Sequence, residues 1–312
     1  MSTAPGDDSA VRPIVALVSA LGLGAGGLLF GFLLTFVVGF GLVAVAGIAL
    51  TGTMQIVLGL VFVQGVGCAG VAYAYVRLRP RIGPAIRRQL GLAGDTTRFR
   101  IGASLPGLRD VLVVVGGYLV AFGGAIAGSL LVSRFQVDTG TNAAAEMGME
   151  NPEILLLLIP ASILLIGPGE ELLFRGVVQG RLREVFSPAV AIGLASTVFA
   201  GLHWFALSGG SPTGNLVALG VLVVPALVFG VSYEYTGNIV VPALIHGVYN
   251  ATLFSFLYVS ITYSGDVALL APAVETALGV VSGIDIVDVA SVVVEGTDVA
   301  SDVVSGDVVS AH

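Results

Sequence analysis

The chain has 312 residues, of which 56% are hydrophobic and only 11% charged. A soluble domain carries roughly 25% charged residues, so this composition excludes an ordinary soluble fold. Net charge is −7, and no basic face with interleaved aromatics points to nucleic acid.

Residues 1–10 are polar and are expected to lack structure. The apolar run over 14–50 is too long for the core of a signal peptide, which has roughly 7–15 residues. It is either one long tilted helix or one span plus an interfacial piece. A break at Thr51–Gly52–Thr53 precedes a second span over about 54–76. The one cysteine, Cys68, lies in this run and reads as a small core residue.

Every basic residue is an arginine, and eight of them fall in 77–110, from Arg77 to Arg109. The positive-inside rule makes this segment a cytoplasmic loop and puts the N-terminus on the same side. A third span follows over about 111–133. The next loop holds Asp138, Glu146, Glu150 and Glu153 and suits the outer face.

A fourth helix starts near Pro152 and runs to Arg181, Arg183 and Glu184. Gly167–Pro168–Gly169 within it predicts a helix break, which would open a water-lined pocket. Further spans are expected over about 188–207, 216–233 and 239–260. The apolar stretch 267–284 carries Glu275 and is either an eighth span or interfacial. The last 30 or so residues repeat acidic, Val/Ser/Gly-rich units and read as a poorly structured tail. The expected organisation is therefore 1–10 N-terminus, 11–76 N-terminal spans, 77–110 arginine-rich loop, 111–262 functional core and 263–312 acidic tail. The fold class is all-α: a polytopic transmembrane bundle of about 7–8 spans with a buried polar site.

That polar site is where the function must lie. An ionisable side chain at bilayer depth costs roughly 2.5–3.5 kcal/mol on insertion scales, so it persists when it pairs or works. Glu170, Glu171 and Arg175 lie in the fourth helix, His203 in the fifth, and His246 with Asn250 in the seventh. Residues four apart share a helix face, so Glu171 pairs with Arg175, and His246 and Asn250 point together, as do Phe199 and His203. Glu170 is rotated by about 100° and is left free. The midpoint of Glu170 and His203 falls in the turn Phe186–Ser187–Pro188, so an antiparallel hairpin puts them at one depth. His246 is offset by roughly 9 Å, which closes if the fourth and fifth helices project into the cytoplasm.

A carboxylate and an imidazole together take a proton from water and return it to a leaving amine. A second imidazole and a carboxamide can donate to an oxyanion. The same Glu/His set is also a candidate ligand set for a divalent metal such as zinc, through Glu170, His203 and His246. There is no HExxH, no GxSxG and no GxGD sequence. A proton-coupled transporter would also use such residues, but paired broken helices and internal repeats are not seen.

The three motifs Glu170-Glu171-Leu-Leu-Phe-Arg175, Phe199-Ala-Gly-Leu-His203 and His246-Gly-Val-Tyr-Asn250 resemble the EExxxR, FxxxH and HxxxN motifs of the CPBP family. That family comprises CAAX-prenyl-protease-like and bacteriocin-processing (Abi) membrane proteins. The resemblance covers roughly 110–260. It implies an intramembrane endopeptidase acting on membrane-associated proteins or peptides, with a site opening toward the cytoplasm. It implies that Glu170 and His203 activate water, that His246 and Asn250 stabilise the oxyanion, and that Glu171, Arg175 and Phe199 support the site. Both metal-dependent and metal-free glutamate schemes are described for the family. The free position of Glu170 favours the scheme that requires no cofactor. A non-catalytic immunity or scaffold protein on the same fold is the alternative.

Overall fold

The computed structural model describes residues 8–89 and 99–263. The 267–284 segment, the repetitive tail, most of the N-terminal polar stretch and Arg98 lie outside the described residues. Among the described residues there are eight helices. They are α1 (Asp8–Ala44), α2 (52–89), α3 (Leu108–Arg134), α4 (Ala143–Glu150), α5 (153–183), α6 (Pro188–Leu202), α7 (Pro212–Thr236) and α8 (Val240–Thr262). All but the short α4 are long and apolar enough to cross a membrane. This is the architecture of a multi-pass membrane protein.

Of the two readings of the run 14–50 the long helix holds as far as Ala44, where irregular chain follows, and α1 already begins at Asp8. Two expectations are corrected. The arginine-rich segment is not all loop: α2 continues as helix through Gln89 despite Pro80 and Pro84, carrying Arg77 to Arg88. Lastly, Gly167–Pro168–Gly169 does not break α5. The helix runs through it, with π-helical turns at Ser162–Ile166 and Leu172–Gln179 on either side. A proline ring clashes with the carbonyl four residues earlier, and a widened turn just before Pro168 relieves that clash. The two glycines serve close packing. A Cβ on Gly167 would sit 2.6 Å from the Ala243 carbonyl oxygen of α8, and one on Gly169 would sit 2.7 Å from the Gln64 carbonyl oxygen of α2.

Capping follows ordinary chemistry. Thr51 Oγ1 accepts from the Met54 amide at 3.2 Å to start α2. Ser211 Oγ accepts from Gly214 at 3.0 Å, with Pro212 in the first turn of α7. Gly237, at φ +64°, closes α7 in the left-handed conformation that glycine tolerates.

The helices alternate in direction, which sorts their ends. At one end Arg183 of α5 pairs with Glu234 of α7 at 3.0 Å, and Arg181 of α5 donates to Ser19 of α1 at 3.0 Å. Arg79 of α2 pairs with Glu184, and the Asn238 side chain ties the α7–α8 turn to Ser104. At the other end Thr141–Asn142 (β1) pairs antiparallel with Leu207–Ser208 (β2), with Thr141 opposite Ser208. The core lies between α5, α6 and α8. Leu173, Phe174, Leu182 and Phe199 fill one side, and Ile154, Leu155, Phe254 and Leu257 fill another. Large apolar side chains of α1 and α3, such as Phe36, Phe40, Leu112 and Leu119, face outward as a lipid-facing surface does.

The packing of α5 on α8 predicts a cost for filling its groove. Gly167→Ala forces its methyl group into the α8 backbone and should destabilise by about 1–3 kcal/mol. Thermal unfolding in detergent reads this as a lowered midpoint, whereas an unchanged midpoint would show that the two helices can separate freely.

Candidate active site

The site is built on the α5–α8 contact. The chain folds so that four-residue spacing aims pairs of polar groups inward, and the apolar remainder of each helix leaves them no other partners. Arg175 and Glu171 are both fully buried, and the Arg175 Nε donates to Glu171 Oε2 at 3.0 Å. The guanidinium also lies over the rings of Phe199 and Phe229, at 5.2 and 5.9 Å. Its Nη1 reaches Ser196 Oγ at 3.4 Å.

The other oxygen of Glu171 holds His246. His246 Nδ1 lies 2.9 Å from Glu171 Oε1. A carboxylate only accepts, so Nδ1 carries the proton of this bond. The opposite nitrogen, Nε2, lies 3.2 Å from Asn250 Nδ2 and 3.8 Å from Glu170 Oε2. In the neutral ring Nε2 accepts from the Asn250 amide. Protonated, it becomes a donor, and a half-turn of the amide presents Oδ1 to it. Phe229 stacks flat on the imidazole, with centroids 4.8 Å apart and an interplanar angle of 13°.

Glu170 faces away from Arg175, as its rotation around the helix requires. Its Oε1 accepts from Gln64 Nε2 at 2.8 Å. Among the described residues its buried Oε2 has no hydrogen-bond partner, and neither has Gln64 Oε1. His203 caps the C-terminal end of α6, where the helix tightens into a 3₁₀ turn. His203 Nδ1 donates to the Phe199 carbonyl at 2.8 Å, which leaves Nε2 as the free acceptor of the neutral ring. The Phe199 ring touches both imidazoles, with centroids 4.5 Å from His203 and 5.8 Å from His246.

Glu170, His203, His246 and Asn250 line one cavity of about 400 Å³, together with Gln64 and Phe199. The sequence-level set is thus brought together. The 9 Å offset predicted for His246 does not keep it from Glu170. The Arg183–Glu234 pair sets the end of α5 beside that of α7, and the wide turns at Leu172–Gln179 shorten α5 between Arg183 and Glu170. Glu171 and Arg175 lie behind the cavity rather than on it.

Two contributors escaped the sequence motifs. Gln64 lies on α2 in a glycine-rich apolar run. A carboxamide at bilayer depth was a legible signal, yet nothing in its spacing linked it to α5. Phe229 gave no signal at all, because a phenylalanine in an apolar span is ordinary. Among the described residues no three His, Cys, Asp or Glu side chains stand together as a metal ion requires. Glu170, His203 and His246, as placed, do not make a ready ligand set.

Residues 152–252 match the family model described as type II CAAX prenyl endopeptidase Rce1-like. This segment is Rce1-like. It contains all three motifs and lies inside the expected 111–262 core, while Gln64 comes from outside it. No curated protein and no solved structure matches the chain. That family model describes endopeptidases.

The buried ion pair at the base of the site carries a testable cost. Arg175→Met leaves Glu171 charged, buried and short of its main partner. Such removals cost about 3–5 kcal/mol. Adding Glu171→Gln to the same protein should recover part of the lost thermal stability. Equal stability of the single variant and the wild-type protein would show that the pair carries no such weight.

Proposed function

We propose that this protein is an intramembrane endopeptidase that hydrolyses peptide bonds of membrane-associated proteins or peptides with water activated by Glu170 and His203. The observation that carries this reading is Glu170 itself. It is a buried carboxylate held through one oxygen by Gln64, and among the described residues its other oxygen has no hydrogen-bond partner, in a cavity shared with two imidazoles. A carboxylate kept only as a structural anchor would use both oxygens, as Glu171 does.

The residues then divide as follows. Glu170 takes a proton from water, and His203, through its free Nε2, holds and orients that water. The water oxygen bonds to the scissile carbonyl carbon, and the carbonyl oxygen becomes the oxyanion. The Asn250 amide, and His246 when Nε2 is protonated, donate to it. Glu170 then returns its proton to the amine nitrogen as the C–N bond breaks. Glu171 fixes the His246 ring so that Nε2 is the nitrogen presented, and Arg175 and Phe199 hold Glu171 and the two imidazoles in place. Roles for a metal are not needed in this scheme. The N-terminus lies on the cytoplasmic side of a cell membrane, with the arginine-rich end.

Glu170→Gln and His203→Ala should each lower cleavage of a membrane-anchored peptide by roughly 10²–10⁴-fold while leaving the thermal midpoint near that of wild type. Undiminished cleavage by either variant contradicts the mechanism. Gln64→Leu removes one hydrogen bond from Glu170, and a loss of about 1.4 kcal/mol in the transition state reads as about tenfold in kcat. Protein stripped with a strong chelator should keep its activity, and loss of activity restored by zinc would assign the water to a metal instead.

A further inference from the structure

Among the described residues, the lining of the cavity reaches one end of the bundle only. Beyond the Glu/His cluster it is lined by Ser129 and Val132 near the end of α3, and by Asn142, Phe205, Ala206 and Leu207 of the β1–β2 end. No residue of the opposite end, from 99–108, 181–187 or 232–239, lines it. The β1–β2 end is firmly built. Asn215 Oδ1 accepts from the Gly140 amide at 2.6 Å, and its Nδ2 donates to the Gly209 carbonyl at 3.1 Å. Ser211 bonds the Asp138 carbonyl at 3.0 Å through both its amide and its hydroxyl.

Charge separates the same two ends. The β1–β2 end carries exposed Asp138, Glu146, Glu150 and Glu153 against Arg134. The opposite end carries the arginines of α2, Arg100, Arg109, Arg181 and Arg183. Arginine excess marks the cytoplasmic ends of spans, and acidic residues contribute little to that choice.

The geometry points to a site that opens on the extracytoplasmic side, so that its substrates are peptide segments lying outside the cytoplasm, close to or anchored in the membrane. This deepens the protease reading and rests on it for the substrate class. It reverses the cytoplasmic opening implied by the family resemblance. The charge rule places the arginine end inside, and the lining of the cavity reaches toward the other end. A segment entering between the acidic β1–β2 loops meets Asn142 and then an apolar wall that includes Leu219, Leu222 and Leu253 before it reaches Glu170. Such a path suits an uncharged or basic, partly apolar extended segment.

The test begins with the full chain carrying Cys68→Ala, since Cys68 is buried and is the one native thiol. Single cysteines are placed by Ser208→Cys at the cavity end, by Ser104→Cys at the arginine end, and by Ala218→Cys on the cavity wall. A membrane-impermeant maleimide is applied to right-side-out and to inverted vesicles. Ser208→Cys and Ala218→Cys should label in right-side-out vesicles, and Ser104→Cys only in inverted ones. Labelling of Ser208→Cys only in inverted vesicles, or of Ala218→Cys only from the Ser104 side, overturns the proposal. So does an Ala218→Cys that stays unlabelled while Ser208→Cys reacts.

New peptide termini in membranes are then compared between cells making the wild-type chain and cells making Glu170→Gln. Wild-type-dependent termini should fall in extracytoplasmic segments, and termini confined to cytoplasmic segments overturn the proposed substrate side. Absence of any wild-type-dependent termini alongside the expected labelling would refute the protease reading and leave the side of opening established.

Discussion

The buried Glu171–Arg175 pair is the constraint on which the site depends. Neither charge could remain in an apolar bundle alone, since an unpaired ion there costs several kcal/mol. Once paired within one helix, the two charges fix much else. Arg175 demands aromatic faces, which Phe199 and Phe229 supply from α6 and α7. Glu171 has one oxygen left, and His246 on α8 takes it. A single ion pair thus ties four helices together and sets the orientation of an imidazole.

That arrangement also explains why adjacent glutamates behave so differently. One residue of rotation turns Glu170 from the ion pair toward α2 and the cavity. There the partner is a neutral amide, which holds the carboxylate through one oxygen without neutralising it. The glycines flanking Pro168 allow α8 and α2 to approach α5 on two sides at this level. The close approach brings Gln64 and His246 within reach of Glu170. A catalytic carboxylate needs this combination of fixed position and incomplete satisfaction, because a fully bonded group has no capacity left for water.

Much of this was legible in the sequence. The seven apolar spans follow from length and composition, and the four-residue spacings place Glu171 against Arg175 and His246 beside Asn250. What was not legible depends on contacts between helices. Gly-Pro-Gly reads locally as a break, but tertiary packing uses the glycines as contact points and π-helical turns absorb the proline. The Glu171–His246 bond joins residues 75 apart in sequence, and the Gln64–Glu170 bond joins residues 106 apart. No local period encodes either. The path of the cavity likewise follows from how helix ends are grouped rather than from any one segment.

The central claim is that Glu170 activates water for peptide hydrolysis. Its most direct test is cleavage of a membrane-anchored peptide by the purified chain in ¹⁸O-labelled water, followed by mass analysis of the new C-terminus. Wild-type protein should place one ¹⁸O in the newly formed carboxyl group, and Glu170→Gln of equal thermal stability should yield essentially no labelled product. Labelled product at equal rates from both proteins would contradict the account.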